Sequence, residues 1–174
     1  MDIFDTFFNK KELEGDNEPE ENDIIEGELN DDEPNVWEYI TNLIQNAETV
    51  TDGTLAWMIG ERVRKEVLFI TDAEKGTEIL EALGNRLSKD MDEFYNYEYL
   101  LDSIAIAEAF PDMTIYNDLA ETLSLEQLNT IANLDDDLER TYYTELCRAE
   151  KWDMRTLRQK IGRDTFAQEF KKED

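Results

Sequence analysis

Residues 54–67 read Thr-Leu-Ala-Trp-Met-Ile-Gly-Glu-Arg-Val-Arg-Lys-Glu-Val, and apolar side chains recur in this stretch every three or four positions. At 3.6 residues per turn these side chains share one face of an α-helix, whereas a half-buried strand would alternate apolar and polar residues. The face consists of Leu55, Met58, Ile59, Val63 and Val67. The stretch therefore predicts an amphipathic helix with one buried side.

The same periodicity extends in both directions from this helix. Upstream, after Asn35 as a predicted cap, it is carried by Val36, Ile40, Leu43, Ile44 and Ala47. Downstream it predicts five more helices. The first two carry Ile79, Leu80, Leu83, Leu87 and Met91, and then Leu100, Leu101 and Ile104, with an end at Phe110-Pro111. The last three carry Leu128, Ile131 and Ala132; Leu138, Tyr142, Leu146 and Ala149; and Met154, Leu157 and Ile161. Residues 113–123 fit either a short helix or an extended connection.

Local signals mark several helix starts. Thr71-x-x-Glu74 and Ser124-x-x-Gln127 match the capping box, and Asp135-Asp136-Asp137 and Asp153 are suited to N-caps. Strand-type alternation is scarce. The predicted fold is all-α: a multi-helix bundle over residues 35–174, with a C-terminal helix-turn-helix around Trp152.

The charge of the chain limits its partners. The 174 residues hold 44 acids and 17 bases, a formal net charge of −27. Such a field repels phosphate backbones and anionic membranes, and it attracts basic proteins. We therefore expect a basic or nucleic-acid-handling protein as partner, no membrane, and no general binding of nucleic acid. The oligomeric state is left open.

An acidic arm is predicted over residues 1–34, because residues 10–33 have too few apolar side chains to offset the entropy of ordering. Its tip carries Phe4, Phe7 and Phe8, which are candidates for partner binding. Their spacing is similar to that of sliding-clamp peptides, although the leading glutamine is missing. Packing of these aromatics back onto the bundle is the alternative.

The sequence offers little support for catalysis. It has no histidine and one cysteine, Cys147, which we interpret as a small core residue in a reducing cytoplasm. Asp112, Glu169 and Lys171 superficially match a nuclease motif, but the strands that such a site requires are missing. Residues 134–143 lack the glycine of a calcium loop. We predict a non-enzymatic protein with no metal and no cofactor.

A family resemblance rests mainly on residues 141–161, Thr-Tyr-Tyr-Thr-Glu-Leu-Cys-Arg-Ala-Glu-Lys-Trp-Asp-Met-Arg-Thr-Leu-Arg-Gln-Lys-Ile. Together with residues 54–67, 83–90, 107–111 and 122–124, in the same order, this stretch resembles the N-terminal helical domain of the YhcG-type nucleases. In that family the domain precedes a PD-(D/E)xK nuclease domain, and the resemblance implies a role in DNA binding or assembly. Within the 174 residues we expect no nuclease half.

Two departures from the family pattern replace polar and basic positions. Leu125-Glu126-Gln127 stands where the family has Trp-Ser-His, and residues 93–102, Glu-Phe-Tyr-Asn-Tyr-Glu-Tyr-Leu-Leu-Asp, stand where it has an arginine-rich segment. Tyr95, Tyr97, Glu98 and Tyr99 are therefore predicted to form a surface for a basic protein, with a half-buried helix start as the alternative.

Two functions follow as hypotheses. The first is a non-enzymatic, acidic protein-binding module, in one version an antagonist that presents carboxylates where a DNA-handling protein expects phosphates. The second is a DNA-binding or assembly accessory module of a nuclease system. In that alternative, Arg155 and Arg158, which share one face of the last helix, contact nucleic acid.

Overall fold

A computed structural model of the protein describes residues 35–67 and 73–170. These residues form nine α-helices and one 3-10 turn at Ala47–Thr49, with no strand among them. The helices are α1 Val36–Gln45, α2 Asp52–Val67, α3 Ala73–Asp90, α4 Tyr97–Ala109, α5 Met113–Ala120, α6 Leu125–Ala132, α7 Asp137–Ala149, α8 Met154–Gly162 and α9 Thr165–Phe170. The predicted all-α bundle is confirmed.

Helix starts follow the caps that the sequence indicates. The Asn35 side chain accepts from the Glu38 amide at 3.0 Å, and Asp136 and Asp153 cap α7 and α8 in the same way. Ser124 and Gln127 form both bonds of a capping box at the start of α6. These bonds satisfy amides that a helix leaves free at its N-terminus. Thr71, of the other predicted box, lies outside the described residues.

The centre of the bundle is the crossing of α2 and α4. A Cβ atom added to Gly60 would lie 1.9 Å from the carbonyl oxygen of Ser103, so the two backbones are in direct contact there. Helix α4 is buried on most of its circumference, from Leu100 to Ala107. A similar approach occurs at Gly84 of α3, where an added Cβ would lie 2.4 Å from the Tyr97 amide nitrogen.

The open question over residues 113–123 is resolved in favour of a helix. Asp112 caps α5 by accepting from the amides of Thr114 and Ile115. The buried Tyr116 hydroxyl donates to the Gly53 carbonyl at 2.8 Å, which ties α5 to the start of α2. The Trp57 ring stacks on Tyr116 with ring centroids 6.3 Å apart, closing this side of the core.

The C-terminal helices are joined to the bundle at the turn between α7 and α8. Lys151 adopts a positive φ of 53°, and the Trp152 amide donates to the Cys147 carbonyl at 3.0 Å, as at a helix C-terminus of the Schellman type. Gln127 of α6 donates to the Trp152 carbonyl at 2.6 Å. Cys147 is buried, as predicted, and Trp152 is buried beside it.

One apolar pattern is only partly buried. Leu138, Tyr142, Leu146 and Ala149 predict helix α7, which is present, but Leu138 is 70% exposed and Ala149 is also exposed, whereas Tyr142 and Leu146 pack against the core. The buried side carries Tyr143, Thr144 and Cys147 instead. Helix α7 has two apolar stripes, and α6 packs on the one that holds Cys147, because Gln127 of α6 contacts the sulfur there.

None of the described helices has the length and apolar content required to span a membrane.

Candidate functional site

A groove opens where the first turns of α2, α4 and α6 meet. Its volume is about 550 Å³. Thr51, Asn96 and Ser124 cap these three helices, and the helices pack against one another in pairs, so their N-termini converge at one end of the bundle. The groove runs over this end and reaches the exposed ring of Phe94.

Four carboxylates line the groove, and no lysine or arginine of the described chain does so. Asp52, Glu98 and Glu126 each lie in the first turn of their helix, and Asp102 lies one turn further along α4. A helix N-terminus is equivalent to about half a positive charge, which favours acids at these positions. Three such ends offset less than half of four full charges, so the groove remains negative.

Asp102 is the most enclosed of the four acids. Its carboxylate accepts a hydrogen bond from the Asn129 side chain of α6. Burial raises the pKa of Asp102, the negative charge of Glu98 raises it further, and the bond from Asn129 acts in the opposite direction. An acid held in a partly buried site at a cost is characteristic of positions that are used for binding or chemistry.

An aromatic cluster adjoins the groove. The Phe94 ring lies 5.0 Å from the Tyr99 ring and 5.4 Å from the Tyr95 ring, and Tyr95 and Tyr99 are 5.2 Å apart. Phe94 is 52% exposed. The face of such a ring attracts cations, so an exposed phenylalanine beside carboxylates favours a positively charged ligand.

The predicted tyrosine surface is only partly available to a partner. Glu98 is exposed and lines the groove, and Tyr95 and Tyr97 are half-buried against the core. Tyr99 is 7% exposed, so it serves as a wall of the groove rather than as a contact surface, and its burial raises the pKa of its hydroxyl. The half-buried Tyr97 at the start of α4 fits the open alternative, whereas Tyr99 is buried.

The nucleic-acid candidates lie on α8, near the groove. Arg155 and Arg158 are both exposed, and the Arg158 guanidinium donates to the Glu126 carboxylate at 2.6 Å. Both partners of this ion pair are more than half exposed, so it contributes little to stability. The pair nevertheless joins Arg158, one of the two predicted DNA contacts, to Glu126 of the groove.

Three predicted residues cannot be compared with the structure, because Phe4, Phe7 and Phe8 lie outside the described residues. Four groove residues were not predicted from the sequence: Asp52, Phe94, Asp102 and Glu126. A cap followed by an acid in the first turn was visible at each helix start. Only the packing shows that these starts converge.

The groove is not arranged as a metal site. Across residues 35–67 and 73–170, no three acidic, histidine or cysteine side chains are placed to hold a metal ion together. Separate carboxylates spread over a groove are better suited to a polyatomic cation, such as the side chains of a basic protein.

Comparison with known proteins gives one family match. The model of the DUF1016 N-terminal domain matches residues 40–168, which are most of the chain and include the groove. No curated protein and no solved structure matches the sequence significantly.

Proposed function

Because the chain belongs to the DUF1016 N-terminal domain family, we propose that it is a non-enzymatic, acidic protein-binding module. This family domain is the helical one of the YhcG type and is not itself the catalytic nuclease domain. A helical domain that recognises another protein needs no catalytic group, and no cofactor enters the proposal. Cys147 is free and buried, as is usual in a reducing compartment, and we place the protein in the cytoplasm in this proposal.

The groove with its four carboxylates is the observation that carries the proposal. Glu98 is exposed and Asp52 lies at the same mouth, so a basic segment of a partner reaches both without rearrangement of the bundle. Glu126 is also exposed, but it is paired with Arg158, so a partner cation must displace that side chain to reach it. Asp102 then receives a cationic side chain that enters more deeply. A partner cation removes the repulsion between Glu98 and Asp102, which favours the complex over the free module.

The partner we propose is a basic protein that handles DNA. Its surface is built for a row of phosphates, and a groove with carboxylates on three helix starts presents a comparable row of negative charges. The net charge of −27 steers such a partner toward the module and makes association fast and sensitive to salt. In this version the module is an antagonist that competes with DNA.

The test is a groove variant and a matched control. Asp52→Asn, Glu98→Gln, Asp102→Asn and Glu126→Gln together remove four charges from the groove. Glu48→Gln, Glu81→Gln, Asp118→Asn and Glu121→Gln remove four exposed charges elsewhere. Tagged forms of both variants and of the unaltered protein are used to capture partners from host lysate at about 50 mM and about 500 mM salt.

We expect a basic, DNA-handling protein in the low-salt fraction of the unaltered protein and of the control, and its loss from the groove variant. With the captured protein purified, its affinity for the groove variant should fall at least about tenfold, and DNA should compete with the module. Equal capture by both variants would show that general charge, and not the groove, recruits the partner.

DNA binding through α8 is the second candidate. Its support is that α7 and α8 are joined by a tight turn and that Arg155 and Arg158 are exposed on α8. It predicts salt-sensitive binding of duplex DNA at about 50 mM salt, lost in the Arg155→Glu, Arg158→Glu variant. A gel-shift experiment distinguishes the two functions, since the antagonist shows no shift by itself.

A further inference from the structure

Helices α7 and α9 carry a cluster of large apolar and aromatic side chains, of which Leu138 and Phe170 are exposed while Tyr142 and Phe166 are half-buried. We define the α7–α9 patch as Leu138, Tyr142, Phe166 and Phe170. Leu138 is 70% exposed and Phe170 is 54% exposed. Large apolar groups that cluster in this way are typical of contact sites between proteins.

The four side chains form one continuous surface. Leu138 and Tyr142 are one turn apart on α7, which places them side by side. The Tyr142 ring lies 5.5 Å from the Phe166 ring and 6.0 Å from the Phe170 ring, and the two phenylalanine rings are 4.7 Å apart. The patch therefore has a firm aromatic base on α9 and an exposed leucine at its other end.

Acids surround this patch. Glu139 follows Leu138, and burial raises its pKa, with the charges of Asp164, Asp136 and Asp135 raising it further. Asp135, Asp136 and Glu139 lie at the start of α7 next to Leu138 in the sequence, and one base of the same turn, Arg140, is paired with Asp137. Burial raises the pKa of the Tyr142 hydroxyl, and the charge of Glu169, which directly precedes Phe170 on α9, raises it further. Acids therefore accompany the patch residues on both α7 and α9.

The charge of the rim decides between the occupants. A second copy of this chain brings a net charge of −27 and an identical acidic rim, and residues 1–35, with 14 acids and 2 bases, are repelled as well. An apolar centre with an acidic rim is complementary to a helix that has an apolar stripe and basic flanks. We propose that the α7–α9 patch is a docking site for a basic amphipathic helix of a partner protein.

This site is separate from the groove in residues and in chemistry. The groove is lined by residues of α2, α4 and α6 and the segment before α4, whereas the patch is built on α7 and α9. The groove offers mainly charge. The patch offers burial of Leu138 and Phe170, so its binding energy has a large part that salt does not screen.

The experiment uses a designed peptide as probe. A fluorescein-labelled 15-residue peptide of leucine and lysine, with leucines at helical positions i, i+3, i+4 and i+7, is titrated into the full chain and followed by anisotropy. A scrambled peptide of the same composition has the same charge but no apolar stripe. The protein variants are Leu138→Ser with Phe170→Ser, and Ile115→Ser as a control, since Ile115 is a 62% exposed residue of α5.

We expect the helical peptide to bind more tightly than its scrambled form, and the Leu138→Ser, Phe170→Ser variant to bind it at least about tenfold more weakly. Ile115→Ser should change the affinity less than about twofold. Because Leu138 and Phe170 are exposed, both variants should melt within a few degrees of the unaltered protein, which separates lost binding from lost folding.

Three results would overturn the proposal: equal binding of the two peptides, equal loss in the Ile115→Ser control, or no loss on changing Leu138 and Phe170. A loss caused only by the groove variant would assign the peptide to the groove instead. Failure of the groove experiment leaves this result unaffected, since the two variants share no residue.

Discussion

The α2–α4 crossing and the α7–α9 segment are built from the same kind of periodic helix, yet they treat their apolar side chains differently. At the crossing, Gly60 brings two backbones into contact and α4 is buried on most sides. In the α7–α9 segment, Leu138 and Phe170 remain in solvent. The crossing holds the fold together, and the C-terminal segment leaves apolar surface available for binding.

The strongest test of this contrast is Gly60→Ala. The added methyl group would lie 1.9 Å from the Ser103 carbonyl oxygen, a backbone atom that cannot move without displacing α4. We expect the free energy of unfolding to fall by about 3 kcal/mol or more, measured by urea denaturation.

Gly162→Ala is the control for the effect of the methyl group itself. Gly162 ends α8, its φ is not positive, and an added Cβ would have no neighbour within 4 Å. Stability should stay the same or rise by up to about 1 kcal/mol, because alanine restricts the unfolded chain. A Gly60→Ala protein as stable as this control would refute the close crossing.

The next test makes the same substitution at a core leucine and at a leucine of the α7–α9 patch. Leu128 is fully buried in α6 and Leu138 is 70% exposed in α7. Leu128→Ala should destabilise the protein by about 3 kcal/mol, since it removes contacts and leaves a cavity. Leu138→Ala should change stability by less than about 0.5 kcal/mol. Thermal melts of the two variants measure both losses of stability. Similar losses would contradict the assignment of Leu128 to the core and of Leu138 to the surface.

Gln127→Leu tests the connection between α6 and the turn that joins α7 to α8. Gln127 donates to the Trp152 carbonyl at 2.6 Å and accepts from the Ser124 amide at 2.9 Å. Leucine leaves both groups without these partners, and we expect a loss of about 2 kcal/mol. Gln159→Leu, at an exposed position of α8, should be close to neutral. Both variants are measured by chemical denaturation. Equal losses of stability would show that the hydrogen bonds of Gln127 do not stabilise the connection to Trp152.

The smallest expected effect concerns Asp102 and depends on pH. Burial raises its pKa above the ordinary value of 3.8, so folding favours the protonated form. Its contribution to stability is complete below pH 3.8 and is lost as the pH rises through the higher folded pKa. Asp102→Asn stays neutral and can still accept from Asn129. It should be as stable as the unaltered protein at low pH and about 0.5 kcal/mol more stable at pH 7, after allowance for solvent screening.

Urea titrations of both proteins at several pH values measure this difference. A variant that is less stable at pH 7 would mean that the ionised carboxylate supports the fold. A more stable variant that no longer binds a basic partner would show that the groove keeps a costly charge for its function.

Local sequence predicted the helices well because their signals are local. The caps at Asn35, Ser124 and Asp153 depend on bonds between residues two or three apart, and these bonds form in any context that allows a helix. The apolar faces of α2 and α3 also follow from periodicity, since each of these helices has one clear stripe.

Periodicity was insufficient where a helix has two stripes. Leu138 and Cys147 both fit an apolar pattern in α7, and nothing within the helix decides which side faces the core. The structure selects Cys147 because Gln127 of α6 packs against it. For the same reason Tyr99, predicted as surface, lies inside the groove wall, and Asp52 and Asp102, far apart in sequence, line one groove.

The sequence alone therefore determined the helical class, several of the helix starts, the acidic charge and the family. Each of these depends on neighbouring residues or on sums over the chain. The tertiary structure decided which stripe of α7 is buried, where the first turns of α2, α4 and α6 converge, and which apolar side chains remain exposed. These features depend on contacts between distant residues, and such contacts are set by how the helices pack as a whole.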